Sequence, residues 1–376
     1  MLERMASDLS ALSAAGQLRE LANPTGIQLC SNDYLGLGTH PLLKAAIARA
    51  LDEDTRVAST GSRLLSGNHE RWEELESEFA EFLGVEAALY FPSGYAANIG
   101  LLSSVLKPGD TVFSDAANHA SLIDGIRLSH ARKVVFPHGD LDYLENAMRD
   151  AGAGDKVVVV ESIFSMEGDR APLRELTALC DRFGGSLIVD EAHAVGVEGP
   201  VGRGMTCALR ADHILATVHP CGKALASVGA FVAGSRTLRD YLINYARTFI
   251  YTTALPPYCA AQVREALLLA AEADRERAHL RRLGDYLRDR LRSGGFDTGR
   301  SNSQIVPLIL GSNETALRFA AALTASGFGV RAIRPPTVPA GSARLRLSLN
   351  ASLSIADLDA LMNTLAAVRE AEAVPE

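Results

Sequence analysis

Val157-Val-Val-Val160 is an unbroken apolar run. A short run without polar alternation reads as a strand covered on both faces. Similar runs recur on either side of it. Upstream lie Ala87-Ala-Leu-Tyr-Phe91, Thr111-Val-Phe113 and Lys133-Val-Val-Phe136. Downstream lie Ser186-Leu-Ile-Val189, Ile214-Leu-Ala-Thr-Val218 and Gly229-Ala-Phe-Val-Ala233. Helical patterns such as Tyr95 to Val105 separate most of them. The alternation predicts an α/β fold: a mostly parallel seven-stranded sheet with helices on both sides. Ligands of such sheets sit beyond the carboxyl ends of the strands.

The flanks read differently. Residues 1–20 have the pattern of a short amphipathic helix, and further helices follow Pro41 and run from Glu70 to Phe82. Ser59 to Asn68 is a Gly/Ser loop. After Pro256-Pro257 a long helical region extends to about Arg292. A smaller C-terminal α/β unit follows. It has strands at 304–310, 330–333 and 344–349 and helices at 314–326 and 355–370. The chain of 376 residues exceeds a single hydrophobic core. We therefore divide it into an N-terminal segment (1–40), a large domain (41–257) and an interdomain helix with the small domain (258–376).

Composition narrows the function. A net charge of -8 disfavours a nucleic-acid binder. The arginines between Arg275 and Arg292 are interleaved with Glu276, Asp285 and Asp289, which reads as a solvated helix face. Five scattered cysteines without a C-x-x-C pair predict reduced thiols and no zinc site. The N-terminus lacks the apolar core of a signal peptide, and no apolar run reaches membrane length. Both point to a cytoplasmic protein.

Four features fall at strand ends. Ser93-Gly94-Tyr95 opens a helix, where free backbone N–H groups suit a phosphate. His119 follows the strand at Phe113, and is a helix-start residue or a ring lying over a flat ligand. Asp190 ends the strand Ser186–Val189, with His193 three residues on. A carboxylate there needs a partner, either a ligand cation or a helix end that it caps. Lys223, in Cys221-Gly-Lys-Ala-Leu-Ala226, follows another buried strand. Alone it is more easily a surface lysine than a nucleophile. A strand-end Asp followed by a strand-end Lys is the pair that a pyridoxal phosphate site needs: a Schiff-base lysine and a partner for the ring nitrogen.

At these positions the chain resembles the α-oxoamine synthases of the fold-type I pyridoxal phosphate-dependent transferases. The resemblance rests on Ser31-Asn-Asp-Tyr-Leu-Gly36, Ser93-Gly-Tyr-Ala-Ala-Asn98, His119-Ala-Ser121 and Glu161-Ser-Ile-Phe-Ser-Met-Glu-Gly-Asp169. It continues through Asp190-Glu-Ala-His193, Gly222-Lys-Ala224 and the stretch from Ile333-Arg-Pro-Pro-Thr337 to Arg346. The resemblance implies that Lys223 carries the cofactor, Asp190 meets its ring nitrogen and His119 stacks on the ring and meets substrate. It also implies that Ser165 and His193 bond near the ring hydroxyl and that Gly94 and Tyr95 contact the cofactor. Thr252 and Thr253 would reach the cofactor phosphate of a partner subunit, which implies a homodimer with shared active sites. Arg19, Asn32, Arg334 and Thr337 would lie near the substrate, with Arg334 on the amino acid carboxylate. The implied substrates are L-alanine and a pimeloyl thioester, joined in a decarboxylative condensation of biotin synthesis. The acyl carrier is either coenzyme A or an acyl carrier protein. The closest alternative within the family is a ligase of glycine with an acetyl thioester. No metal, nucleic acid or membrane is implied.

One position departs from the family pattern. A threonine usually stands three residues before the lysine and binds the phosphate, whereas this chain has Pro220. Proline offers neither a hydroxyl nor an N–H, so weaker cofactor retention is expected.

Overall fold

The computed structural model describes residues 1–21, 23, 25–209 and 211–373. They form two compact units. One contains residues 33–165 and 170–277; the other contains 1–32, 166–169 and Ala278 onward.

The first unit is built on a seven-stranded sheet. Its strands are β1 (Ala87–Phe91), β2 (Thr111–Asp115), β3 (Arg132–Phe136), β4 (Lys156–Glu161), β5 (Ser186–Asp190), β6 (Ile214–Pro220) and β7 (Ala230–Gly234). Their spatial order is β1-β7-β6-β5-β4-β2-β3. The pairs from β6 to β3 are parallel, while β7 runs antiparallel to both neighbours. The predicted mostly parallel sheet is thus present, and each predicted strand lies inside an observed one except Gly229–Ala233, whose first residue precedes β7.

Side chains alternate across this sheet, and apolar cores form on both faces. Leu89, Phe91, Val159, Ile188, Ala216 and Val218 pack with Ala97, Leu101 and Leu102 of the Gly94–Val105 helix. Val158, Val160, Leu187 and Val189 pack on the other face with Leu176 and Cys180 of the Leu173–Phe183 helix. The ends of the strands keep this alternation. Glu161 follows Val159, Asp190 follows Ile188 and Pro220 follows Val218, all onto the face of the Gly94–Val105 helix. Register then sets Glu161 beside Asp190. That helix begins where it does because Ser93 Oγ accepts from the Ala96 N–H at 3.1 Å.

In the second unit, Ile305–Gly311, Ala343–Ser348 and Ala332–Ile333 form an antiparallel sheet with Ala343–Ser348 in the middle. The helices Asn313–Ala325 and Ile355–Ala373 belong to it, and Ile27–Gln28 pairs in parallel with Phe328–Gly329.

Three sequence expectations need correction. The N-terminal helix is Leu2–Ala14 rather than 1–20, and none of its residues is buried. Gly16 beyond it takes a left-handed φ of 62°, which breaks the helix. The long helical region after Pro257 is two helices, Pro257–Glu272 and Asp274–Ser293, interrupted at Ala273. The arginine-rich stretch is not wholly a solvated face, because Arg277 and Arg288 are buried. Each pairs with an acid three residues earlier, Asp274 at 2.7 Å and Asp285 at 2.5 Å, and each also donates to backbone carbonyls. The sequence pattern showed the alternation of charge but not which stems turn inward.

Candidate active site

Lys223 stands on the connection between β6 and β7. The strands are antiparallel, so this connection is a tight loop rather than a helical crossover. Cys221 N–H donates to Gly229 O at 2.9 Å, Ala226 N–H to Lys223 O at 2.8 Å and Ser227 N–H to Cys221 O at 2.9 Å. Ala226 accepts a φ of 42° within it. Gly229 is required: its φ is 72°, and a Cβ there would stand 2.1 Å from the Tyr90 hydroxyl. That hydroxyl donates to Val228 O at 2.5 Å and holds the loop to β1.

Asp190, at the end of β5, is buried. Both of its oxygens accept from neutral donors. Oδ1 accepts from the Ala192 N–H at 2.9 Å and Oδ2 from Asn98 Nδ2 at 2.7 Å. Of the two alternatives foreseen, the structure shows the local capping bond to the Ala192 N–H. Asn98 Nδ2 also donates to Ser121 Oγ at 2.9 Å, and Ser121 Oγ lies 2.8 Å from His119 Nδ1. His119 caps the Ala120–Ser129 helix. Desolvation lowers its pKa; the neighbouring Asp190 opposes that shift and Lys223 adds to it. The Tyr95 ring meets it edge-on, with centroids 6.3 Å apart, and the Tyr95 hydroxyl bonds to Asp124.

Glu161 stands on the same face, buried at the end of β4. Its Oε2 accepts from the Ser165 N–H at 3.1 Å, while Oε1 is buried with no hydrogen-bond partner. Burial pushes its pKa up to about 8, and the neighbouring Asp190 adds to the rise. Lys223 and backbone N–H groups of Ser165 and His119 act in the opposite direction. His193 is buried, and its Nδ1 bonds the Tyr34 hydroxyl at 2.6 Å, which fixes the ring orientation.

Gly94, Tyr95, His119, Ser165, Asp190, His193 and Lys223 thus belong to one unit, at the carboxyl ends of the parallel strands or in the connections beside them. Thr252 and Thr253 belong to it as well, on a segment held to the Ser59–Asn68 loop. Thr253 bridges Ser62, Ala254 N–H donates to Gly61 O at 3.0 Å, and Trp72 Nε1 donates to Leu255 O at 3.3 Å. Arg19, Asn32, Arg334 and Thr337 lie in the other unit. There Arg19 donates to Thr337 Oγ1 at 3.0 Å, and Arg334 donates to the carbonyls of Gly16 and Leu18. Asn32 Oδ1 accepts from Arg346 at 3.0 Å.

Sequence reasoning missed Tyr34, Asn98, Ser121, Glu161 and Arg346 as individuals. Each lay inside a motif quoted for the resemblance, and that membership was the available signal.

The residues suit pyridoxal phosphate. A buried carboxylate with only neutral donors on its oxygens matches a protonated ring nitrogen. The first-turn amides of Gly94 and Tyr95 suit the phosphate, because Ser93 has already satisfied Ala96. A Cβ on Gly94 would stand 2.8 Å from Pro220 Cγ, so the turn is closely packed from the lysine side. Thr217 and His219 do not replace the missing threonine. They face the opposite side of the sheet, where His219 Nε2 bonds Thr217 Oγ1 at 2.8 Å and its ring edges Phe79. Burial lowers the His219 pKa to about 3. Among the described residues there is no cluster fit for a metal ion, and no helix is long and apolar enough to cross a membrane.

The family described as aminotransferase class I and II matches residues 24–365. The 8-amino-7-oxononanoate synthase of Marinobacter nauticus is 44% identical, over 91% of this chain and 87% of its own length. The fold superposes on Sphingomonas wittichii serine palmitoyltransferase with a TM-score of 0.90 at 30% identity, covering 99% of this chain and 98% of that one. It superposes on Francisella tularensis 8-amino-7-oxononanoate synthase with a TM-score of 0.81 at 29% identity, covering 93% and 99%. The buried Asp190, the Lys223 loop and these relatives converge: the chain is a pyridoxal phosphate-dependent transferase of fold type I and belongs to the 8-amino-7-oxononanoate synthase family.

Proposed function

We propose that this protein condenses L-alanine with a pimeloyl thioester, with loss of carbon dioxide, to give 8-amino-7-oxononanoate for biotin synthesis. The observation that carries the chemistry is Asp190, buried and bonded only through neutral donors, beside the Lys223 loop. The choice of substrates rests on family membership.

Bound pyridoxal phosphate supplies an electron sink for the carbanion at the alanine α-carbon. Asp190 keeps the ring nitrogen protonated. Lys223 Nζ removes the α-proton. The α-carbon then bonds to the thioester carbonyl carbon, the thiol leaves, carbon dioxide departs and a proton returns to the α-carbon. His119 would cover one face of the bound ring and meet the substrate. Ser165 and His193 would hold the ring hydroxyl, and Gly94 and Tyr95 the phosphate. Arg334 receives the alanine carboxylate, a task suited to a guanidinium, with Asn32, Thr337 and Arg19 beside the substrate. Thr252 and Thr253 complete the phosphate site of a partner subunit in a homodimer. The acyl group arrives on coenzyme A or an acyl carrier protein.

The test is to incubate the protein and pyridoxal phosphate with alanine, glycine or serine against thioesters of several chain lengths. Products are then identified by mass. The expected product is 8-amino-7-oxononanoate from alanine. A product from glycine and an acetyl thioester instead would reassign the protein to the neighbouring branch.

A further inference from the structure

We infer that Asn98 and Ser121 are positioning residues that hold His119 as its neutral Nε2–H tautomer, so that the ring meets substrate as a hydrogen-bond donor. The inference rests on the reading of His119 as the residue over the cofactor.

Proton positions are set from Asp190 outward. Asp190 Oδ2 is an acceptor, so the Asn98 atom 2.7 Å from it is the amide nitrogen. The second hydrogen of that nitrogen goes to Ser121 Oγ, 2.9 Å away. Ser121 Oγ therefore accepts from Asn98, and its own hydrogen turns to the remaining neighbour, His119 Nδ1 at 2.8 Å. The backbone N–H of Ser121 also points at Nδ1, at 3.3 Å. Two donors converge on Nδ1, so that atom carries the lone pair and the proton sits on Nε2.

The opposite tautomer fails on the same distances. An Nδ1–H would face the Ser121 N–H, hydrogen against hydrogen. It would also leave the Ser121 hydroxyl hydrogen without its acceptor inside the protein, and Ser121 is only 1% exposed. Flipping Asn98 would set its carbonyl against the Asp190 carboxylate. The retained orientation leaves Asn98 Oδ1 buried without a partner, which is the smaller penalty.

His119 is more open to solvent than Asn98 and Ser121, which are buried. The relay is thus enclosed. The Nε2–H suits an oxygen acceptor, either the amino acid carboxylate or the thioester carbonyl. The charged and titratable groups around the ring are Asp190 from β5, Glu161 from β4, Lys223 from the β6–β7 loop and Tyr95 from the Gly94–Val105 helix. Of these, Asp190 favours an imidazolium, and the two donors on Nδ1 counter it.

The experiment is 15N NMR of histidine-labelled holoenzyme at neutral pH, with the His119 signals identified by their loss in His119→Gln. The expected result is a protonated Nε2 and an unprotonated Nδ1. Ser121→Ala, confirmed as folded by its melting transition, should mix the tautomers and move the His119 titration midpoint upward. Ser121→Thr, which restores the hydroxyl, should reverse both effects. Turnover of Ser121→Ala should fall roughly three- to tenfold, the scale of one neutral hydrogen bond. An Nδ1–H tautomer in the parent, or an unchanged tautomer and midpoint in Ser121→Ala, would overturn the inference. A wrong substrate assignment would show in the product masses and leave the tautomer measurement untouched.

Discussion

Pro220 closes on Gly94: a Cβ added to the glycine would stand 2.8 Å from Cγ and 3.0 Å from Cβ of the proline. The residue that replaces the family's phosphate-binding threonine therefore packs against the helix turn proposed to hold the phosphate. Pro220→Thr should tighten pyridoxal phosphate binding. A hydrogen bond to a charged group is worth roughly 1.5–3 kcal/mol, or about ten- to a hundredfold in affinity. Cofactor titration of the apoenzyme checks this, and equal affinities would reject it. Gly94→Ala should weaken binding, since its methyl collides with the Pro220 ring.

Lys223→Ala should abolish the covalent link to the cofactor. Borohydride reduction of the parent should add the cofactor mass to the peptide containing Lys223, and the variant should show no addition. Turnover should fall by roughly 10²- to 10⁴-fold, the usual contribution of a positioned acid–base group. Near-normal turnover would remove Lys223 from the mechanism.

Asp190→Asn should lower both stability and function. The carboxylate accepts from one donor on each oxygen, and an amide can accept on only one side, so the apoenzyme should lose roughly 1–3 kcal/mol in a denaturant titration. Activity should fall about a hundredfold or more, the scale of losing a preorganised electrostatic partner. Destabilised apoenzyme with activity retained would reverse the argument.

Glu161 makes apoenzyme stability depend on pH. Its folded pKa is raised from 4.5 to about 8, chiefly by burial. The folded state therefore holds the proton more tightly than the unfolded chain. The contribution is fully present below pH 4.5 and is lost as the pH rises toward 8. Glu161→Gln, a neutral stand-in, should change stability little at pH 5 and raise it at pH 8 in denaturant titrations. Equal effects at both pH values would show that the carboxyl is not the titrating group.

Two arginines are candidates for the substrate carboxylate in the proposed reaction. Arg334 donates to the carbonyls of Gly16 and Leu18, whereas Arg346 donates to Asn32 Oδ1 and Ser348 Oγ. Arg334→Lys should raise the KM for alanine roughly ten- to a hundredfold if its guanidinium binds the carboxylate. A larger effect in Arg346→Lys would transfer that role.

The fold was legible because Val157–Val160 and most of its counterparts are strands buried on both faces, and few other architectures bury such runs; Arg132–Phe136, at the sheet edge, is largely exposed instead. Lys223 alone read as a surface lysine, and only its pairing with the strand-end Asp190, together with the family resemblance, made the two a candidate pyridoxal phosphate site. The relay through Asn98 and Ser121 was not legible. Neither residue type is unusual at a helix start, and only register and helix packing bring them between Asp190 and His119. Arg277 and Arg288 escaped for a related reason: mixed charge along a helix does not reveal which side chains turn inward. Pro220 shows the converse, since the sequence exposed the missing threonine and the structure adds what the proline touches.

Trp72 is the only tryptophan in the chain. It stacks on Tyr90, with centroids 4.5 Å apart, and bonds the carbonyl of Leu255, two residues beyond Thr253. The protein therefore carries a native optical reporter on the segment assigned to the partner subunit's phosphate. Its emission should change when cofactor loading or subunit assembly alters the surroundings of that segment, which makes both events readable in real time without a label.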